Sequence, residues 1–174
     1  MHRQAGFTLA DLITTLAVVS IIAATAIPAL QELLLDARMT RQVNGLVHGV
    51  HLAKQSAQTQ IVDTVLCKSP DGQRCAHEGE WQDGWLLFAN ANADHPPQAD
   101  PGEPRLATGG TWSGGQISSN RIFFVFRPAQ IRSSNGTLVF CDRRGSENAR
   151  ALVISYTGRP RTTRRGPRNE TLIC

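Results

Sequence analysis

Five arginines close to the carboxyl end are the residues best equipped for chemistry. Arg159, Arg161, Arg164, Arg165 and Arg168 fall within residues 158–174, which hold one acid, Glu170. This stretch carries +4, equal to the formal net charge of the whole chain, so the other residues balance. An anionic partner is therefore met locally and not by a generally basic surface. A guanidinium fork matches phosphate oxygens with paired, charge-assisted hydrogen bonds. In Gly158-Arg159-Pro160-Arg161 the proline fixes its own φ and biases Arg159 toward extended backbone. Residues two apart in an extended chain share a side, so Arg159 and Arg161 are expected to face one phosphate backbone together. The plainer reading of the same composition is a solvated terminal tail.

Other candidate chemistry is weaker. Cys67, Cys75, Cys141 and Cys174 form no CxxC pair. Beside an apolar amino-terminal segment they suggest export to an oxidising compartment with two disulfides, and their spacings lack the knuckle pattern of structural zinc. His48 and His51 have no acidic or cysteine partner spaced beside them and read as surface or interface histidines. Asp83, Asp94 and Asp100 sit in loop-rich sequence as turn residues, and Trp81 and Trp85 read as core packing. No Ser-His-Asp, paired-carboxylate or metal-ligand set stands out, so neither an enzyme nor a metal or cofactor is expected.

The elements that must position the arginines follow from pattern. A chain of 174 residues has room for one ordinary domain and an appended segment. Residues 12–30 hold no charge; as a helix they would extend about 28 Å, close to a hydrocarbon core of about 30 Å. This is a membrane span longer than the apolar core of a cleaved signal. Asp11 sits at its start, although an acid costs on the order of 3 kcal/mol at a bilayer centre. Pro28 is expected to kink the helix. Val43, Leu46, Val47, Val50, Ala53 and Ala57 then recur at helical steps, as a stripe that would pack on a sheet, with Arg38, Arg41, Lys54 and Gln55 mostly solvated off it. Strands are expected at 61–67, 84–89, 121–127, 137–141 and 151–157. Ser69-Pro70-Asp71-Gly72 and Asn135-Gly136 read as turns, the second as a tight hairpin. Residues 90–120 read as a long surface loop with one short strand. The fold class is α+β: a long amino-terminal helix, its first half transmembrane, packed on an antiparallel sheet.

At the amino terminus, Gly6-Phe7-Thr8-Leu9-Ala10-Asp11, after a short leader containing Arg3, resembles the processing site of type IV prepilins. The resemblance implies cutting between Gly6 and Phe7 by a prepilin peptidase, N-methylation of Phe7, and retention of the helix in the inner membrane. The globular domain would stand in the periplasm and later in a pilus. The family usually has glutamate where this chain has Asp11; the resemblance implies that Asp11 pairs with the free amine of a neighbouring pilin during assembly. The expected divisions are a leader at 1–6, a transmembrane and assembly helix at 7–30, its amphipathic continuation at 31–60, a β domain at 61–157 and an arginine-rich tail at 158–174.

Val65-Leu66-Cys67, Asp71-Gly72, Cys75, Trp81, Gly84-Trp85 and Gly136-Thr137-Leu138, in that order, resemble the FimT/GspH group of minor pilins and pseudopilins. Gly158-Arg159-Pro160-Arg161 is similar to the GRxR motif with which FimT-type pilins bind DNA in natural transformation. It implies contact with DNA phosphates without sequence preference. Arg164, Arg165 and Arg168 would extend the patch, and Arg143 and Arg144 would support it if the strand holding Cys141 is a neighbour. The alternative is a structural minor pilin or type II secretion pseudopilin that primes or caps its filament without binding DNA. Four cysteines allow three connectivities; the reading taken here pairs Cys141 with Cys174, closing the tail into a loop, and Cys67 with Cys75.

Overall fold

An apolar run that passes into an amphipathic stripe offers no stop signal, and a single helix, α1, extends over Leu9–Gln60 and through Pro28. The structure, a computed structural model, describes residues 8–128 and 132–174. Gly6 and Phe7, the expected processing site, lie outside the described residues. The chain divides into two compact units, residues 1–37 and 38–174.

From Leu9 to Leu34 the large apolar side chains of α1 are exposed on every side, among them Leu12, Ile13, Leu16, Val19, Ile22 and Ile27. The helix is long and apolar enough to cross a membrane. Its few hydroxyls are satisfied internally: Thr14, Thr15, Ser20 and Thr25 donate to carbonyls three or four residues back. At the start, Thr8 N and Oγ1 donate to Asp11 Oδ2 at 3.1 and 2.7 Å, and Asp11 N donates to Thr8 Oγ1 at 3.3 Å. Asp11 thus closes a capping box that satisfies backbone donors the first turn leaves over.

In the second unit Met39, Val43, Leu46, Val50, Ala53 and Ala57 are buried, a step of four or three at each turn. Each fully buried large side chain among them contributes about 1.5–3 kcal/mol. The stripe meets two antiparallel sheets. One has the order β3-β2-β1-β5, with β1 Asp63–Lys68, β2 Trp85–Asn90, β3 Arg105–Gly109 and β5 Phe123–Phe126. The other has the order β4-β6-β7-β8, with β4 Gly115–Ser119, β6 Gly136–Asp142, β7 Arg150–Ile154 and β8 Pro160–Thr163. Leu66, Leu87 and Phe124 from the first sheet and Leu138, Phe140 and Leu152 from the second share one core with the stripe and with Trp81, Trp85 and Trp112.

Three local expectations are corrected. Residues 90–120 contain two strands, β3 and β4, and Ala99 between β2 and β3 covers the outer face of the first sheet beside Val65, Leu86 and Phe88. Both strands are sheet edges, which need one partner and little apolar patterning, so their signal is weak. Asn135-Gly136 is not a hairpin turn, because Gly136 opens β6 opposite Ile154. A Cβ on Gly136 would fall 2.7 Å from Asn120 Oδ1 and 2.8 Å from the Phe124 ring, so close approach is what requires glycine there. The strand expected at 151–157 ends at Ile154, and the arginine-rich tail supplies a strand of its own, β8. Disulfides join Cys67 to Cys75 and Cys141 to Cys174.

Candidate nucleic-acid interface

The Gly-Arg-Pro-Arg motif forms the return of a hairpin between β7 and β8. Val153 stands opposite Arg161 and Ile154 opposite Pro160. Beyond them Ser155 N donates to Arg159 O at 3.1 Å, and Arg159 N donates to Ser155 Oγ at 3.2 Å. Residues directly opposite in an antiparallel ladder share a face. Ile154 and Leu152 point into the core, so Val153 and Ser155 belong to the outer face, and Arg159 and Arg161 project from that face with them. Both arginines are exposed. Pro160 falls between the bonded positions with its nitrogen toward the open edge of β8, so its missing N–H costs no ladder bond.

The hairpin is held from behind. Gly158 has φ +69° and donates its N–H to Ser155 O at 2.8 Å. Lys54 Nζ donates to Thr157 O at 3.0 Å, and Ser133 N donates to Tyr156 O at 2.6 Å. Lys54, expected to be solvated, is thus an anchor for the motif. Nothing in its local sequence signals this, because its acceptor is a backbone carbonyl 103 residues away.

The remaining arginines do not form one patch. Thr162 stands opposite Leu152 on the helix side of β8, and Arg164 continues that side, lining a cleft with Asn44 and Thr162. Arg165 Nη1 donates to Asn169 O at 3.4 Å in the turn that follows β8. Arg168 lies on the outer face, on the wall of a groove of about 770 Å³ between the returning tail and the second sheet. Val139, Val153 and Leu172 give this groove an apolar floor; Thr137, Ser155 and Glu170 are also on its lining. The Glu170 carboxylate there accepts the Arg168 backbone N–H at 2.7 Å.

Arg143 and Arg144 are not beside the motif, since β7 separates their strand from β8. Arg144 is committed to Asp142 at 2.7 Å, with both side chains nearly buried. Burial alone would raise the Asp142 carboxyl. The Arg144 side chain and backbone N–H, with the charges of Arg144 and Arg143, outweigh it and hold the group below its ordinary value. His48 and His51 are exposed on α1.

A family model described as "Type II transport protein GspH" matches residues 42–158, more than half of the 174-residue chain. The chain belongs to the GspH family. This GspH-family chain is also similar in structure to the type IV minor pilin FimU of Pseudomonas aeruginosa, in two crystal forms. For one the TM-score is 0.50 at 15% identity, covering 72% of this chain and 90% of FimU. For the other it is 0.52 at 14% identity, covering 76% and 90%. Among curated proteins none matches. The fold is that of a type IV pilin, a long helix on antiparallel sheets, as the sequence led us to expect. The GspH match ends at residue 158, so the arginines of the motif lie just beyond it.

Proposed function

We propose that this GspH/FimT-like minor pilin binds extracellular DNA through Arg159 and Arg161, without sequence preference, and supports DNA uptake in natural transformation. The observation that carries this reading is the β7–β8 register, which gives two exposed guanidinium groups one common face. Arg168 adds a third cation on that face, whereas Arg164 issues from the other. Phosphates, and not base edges, are the targets, because among the described residues no recognition helix accompanies the arginines. In this reading a prepilin peptidase cuts between Gly6 and Phe7 and methylates Phe7. Asp11 meets the amine of a neighbouring pilin, α1 holds the chain in the inner membrane, and the domain stands in the periplasm until it enters a pilus. The exposed apolar surface of α1 supports the anchoring step.

A second reading is favoured by the description of the family model itself: a type II secretion pseudopilin whose arginines touch other subunits. One experiment separates the two. The full chain in nanodiscs of uncharged lipid is titrated with unrelated DNA duplexes at two salt concentrations, beside an Arg159→Ala, Arg161→Ala double variant. Binding lost in the variant, with a log–log salt slope of about −2 to −3, supports DNA uptake; a slope of about −4 to −5 would mean that all five arginines engage. No binding at low salt removes the DNA reading and leaves the structural subunit.

A further inference from the structure

Next to Arg159 and Arg161 are two further features, neither of which a phosphate backbone uses. The first is the groove, whose apolar floor of Val139, Val153 and Leu172 begins directly opposite Arg161 on β7. The second is Tyr156, the sole tyrosine of the chain, at the tip of the hairpin and 61% exposed. Its neighbour Ser155 lines the groove and bonds Arg159. A large aromatic left mostly in solvent beside a cationic edge gains little from the fold. In a paired duplex the faces of the bases are stacked on one another, so an apolar groove or an aromatic ring reaches them only by unstacking a base step. An unpaired strand offers both its phosphates and its base faces, the combination that cationic grooves with aromatic platforms take.

We infer that the site prefers single-stranded nucleic acid: Arg159 and Arg161 hold successive phosphates, Tyr156 stacks on one base, and the groove seats the nucleoside that follows. The inference rests on the DNA-binding reading above and adds the strand type and a specificity residue, Tyr156. Thr137 lies on the groove lining and is only half-buried, so an added ring there fills the groove without entering the core.

The test uses the full chain in uncharged nanodiscs with single-stranded and duplex oligonucleotides of equal length at one salt concentration. Wild type is expected to bind the single strand roughly tenfold more tightly, within the range of one stacked base. Tyr156→Ala and, separately, Thr137→Trp are expected to bring the single strand down to the duplex affinity while duplex binding is unchanged. Tyr156→Phe, which keeps the ring, should retain the preference. Equal or tighter duplex binding by wild type overturns this inference and leaves the DNA reading intact. A single-strand preference that survives both Tyr156→Ala and Thr137→Trp also overturns it. Loss of neither strand type in the Arg159→Ala, Arg161→Ala variant sinks the DNA reading and this inference together.

Discussion

A Cβ on residue 158 would have to be carried at φ +69° and would press on the Phe126 ring at 3.3 Å and on Ser133 Oγ at 3.4 Å. Gly158→Ala is therefore expected to cost about 1–2 kcal/mol in a denaturant titration, from the left-handed conformation alone. It should also weaken DNA binding with every arginine still present, because the turn that aims Arg159 must shift. Unchanged affinity would mean that the turn does not position the arginines. At Asp142 the folded carboxyl ionises below its unfolded value, since Arg144 overcomes the effect of burial. The stabilisation is then complete above the unfolded value, about pH 4, and is lost as pH falls through the folded one. Asp142→Asn should destabilise by about 2 kcal/mol at neutral pH, and the gap to wild type should close in acid unfolding measurements. A gap independent of pH would rule out the ion pair as its source.

Helix α1 ends at Gln60, and the next residue, Ile61, is 75% exposed at φ +57°. A β-branched residue holds that conformation at a cost that glycine avoids. Ile61→Gly should raise thermal stability by about 1 kcal/mol without touching the core; no gain would mean that the turn is supported by contacts glycine cannot replace. The helix itself was plain in the sequence, because apolar residues recurring every three or four positions over several turns line up on one side of a helix and on no single side of a strand. Of the expected stripe, Val43, Leu46, Val50, Ala53 and Ala57 are buried and Val47 is partly buried at its margin. The edge strands β3 and β4 were hidden, since an edge is made by the partner that accepts it. The arginine-bearing strand β8 escaped for the same reason: Pro160-Arg161-Thr162-Thr163 has no apolar alternation, and its pairing with β7 is what makes it extended.

Over the whole molecule, the Cys141–Cys174 bridge ties the last residue of the chain to the second sheet, with Leu172 buried against Ala149 and Ala151. In the chain-entropy model, closing a loop of this length stabilises the domain by about 3–4 kcal/mol. Cys141→Ser with Cys174→Ser should lose about that much in denaturant. It should also free the tail that walls the groove, so that Arg168 no longer adds to the salt slope for DNA while Arg159 and Arg161 still do. A slope identical to wild type would show that Arg168 takes no part. Read alone, the sequence determined what depends on local order: an apolar helix with an acid at its head, an amphipathic continuation, an antiparallel domain, and a carboxyl end that gathers charge. Those follow from periodicity and composition, which neighbours along the chain suffice to express. Only the tertiary structure decided that the domain has two sheets and that Arg159 and Arg161 share a face which Arg164 does not. It alone set Arg144 aside for Asp142 and enlisted Lys54 to hold the hairpin, because strand order, register and the carbonyl a side chain reaches are relations between residues far apart in sequence.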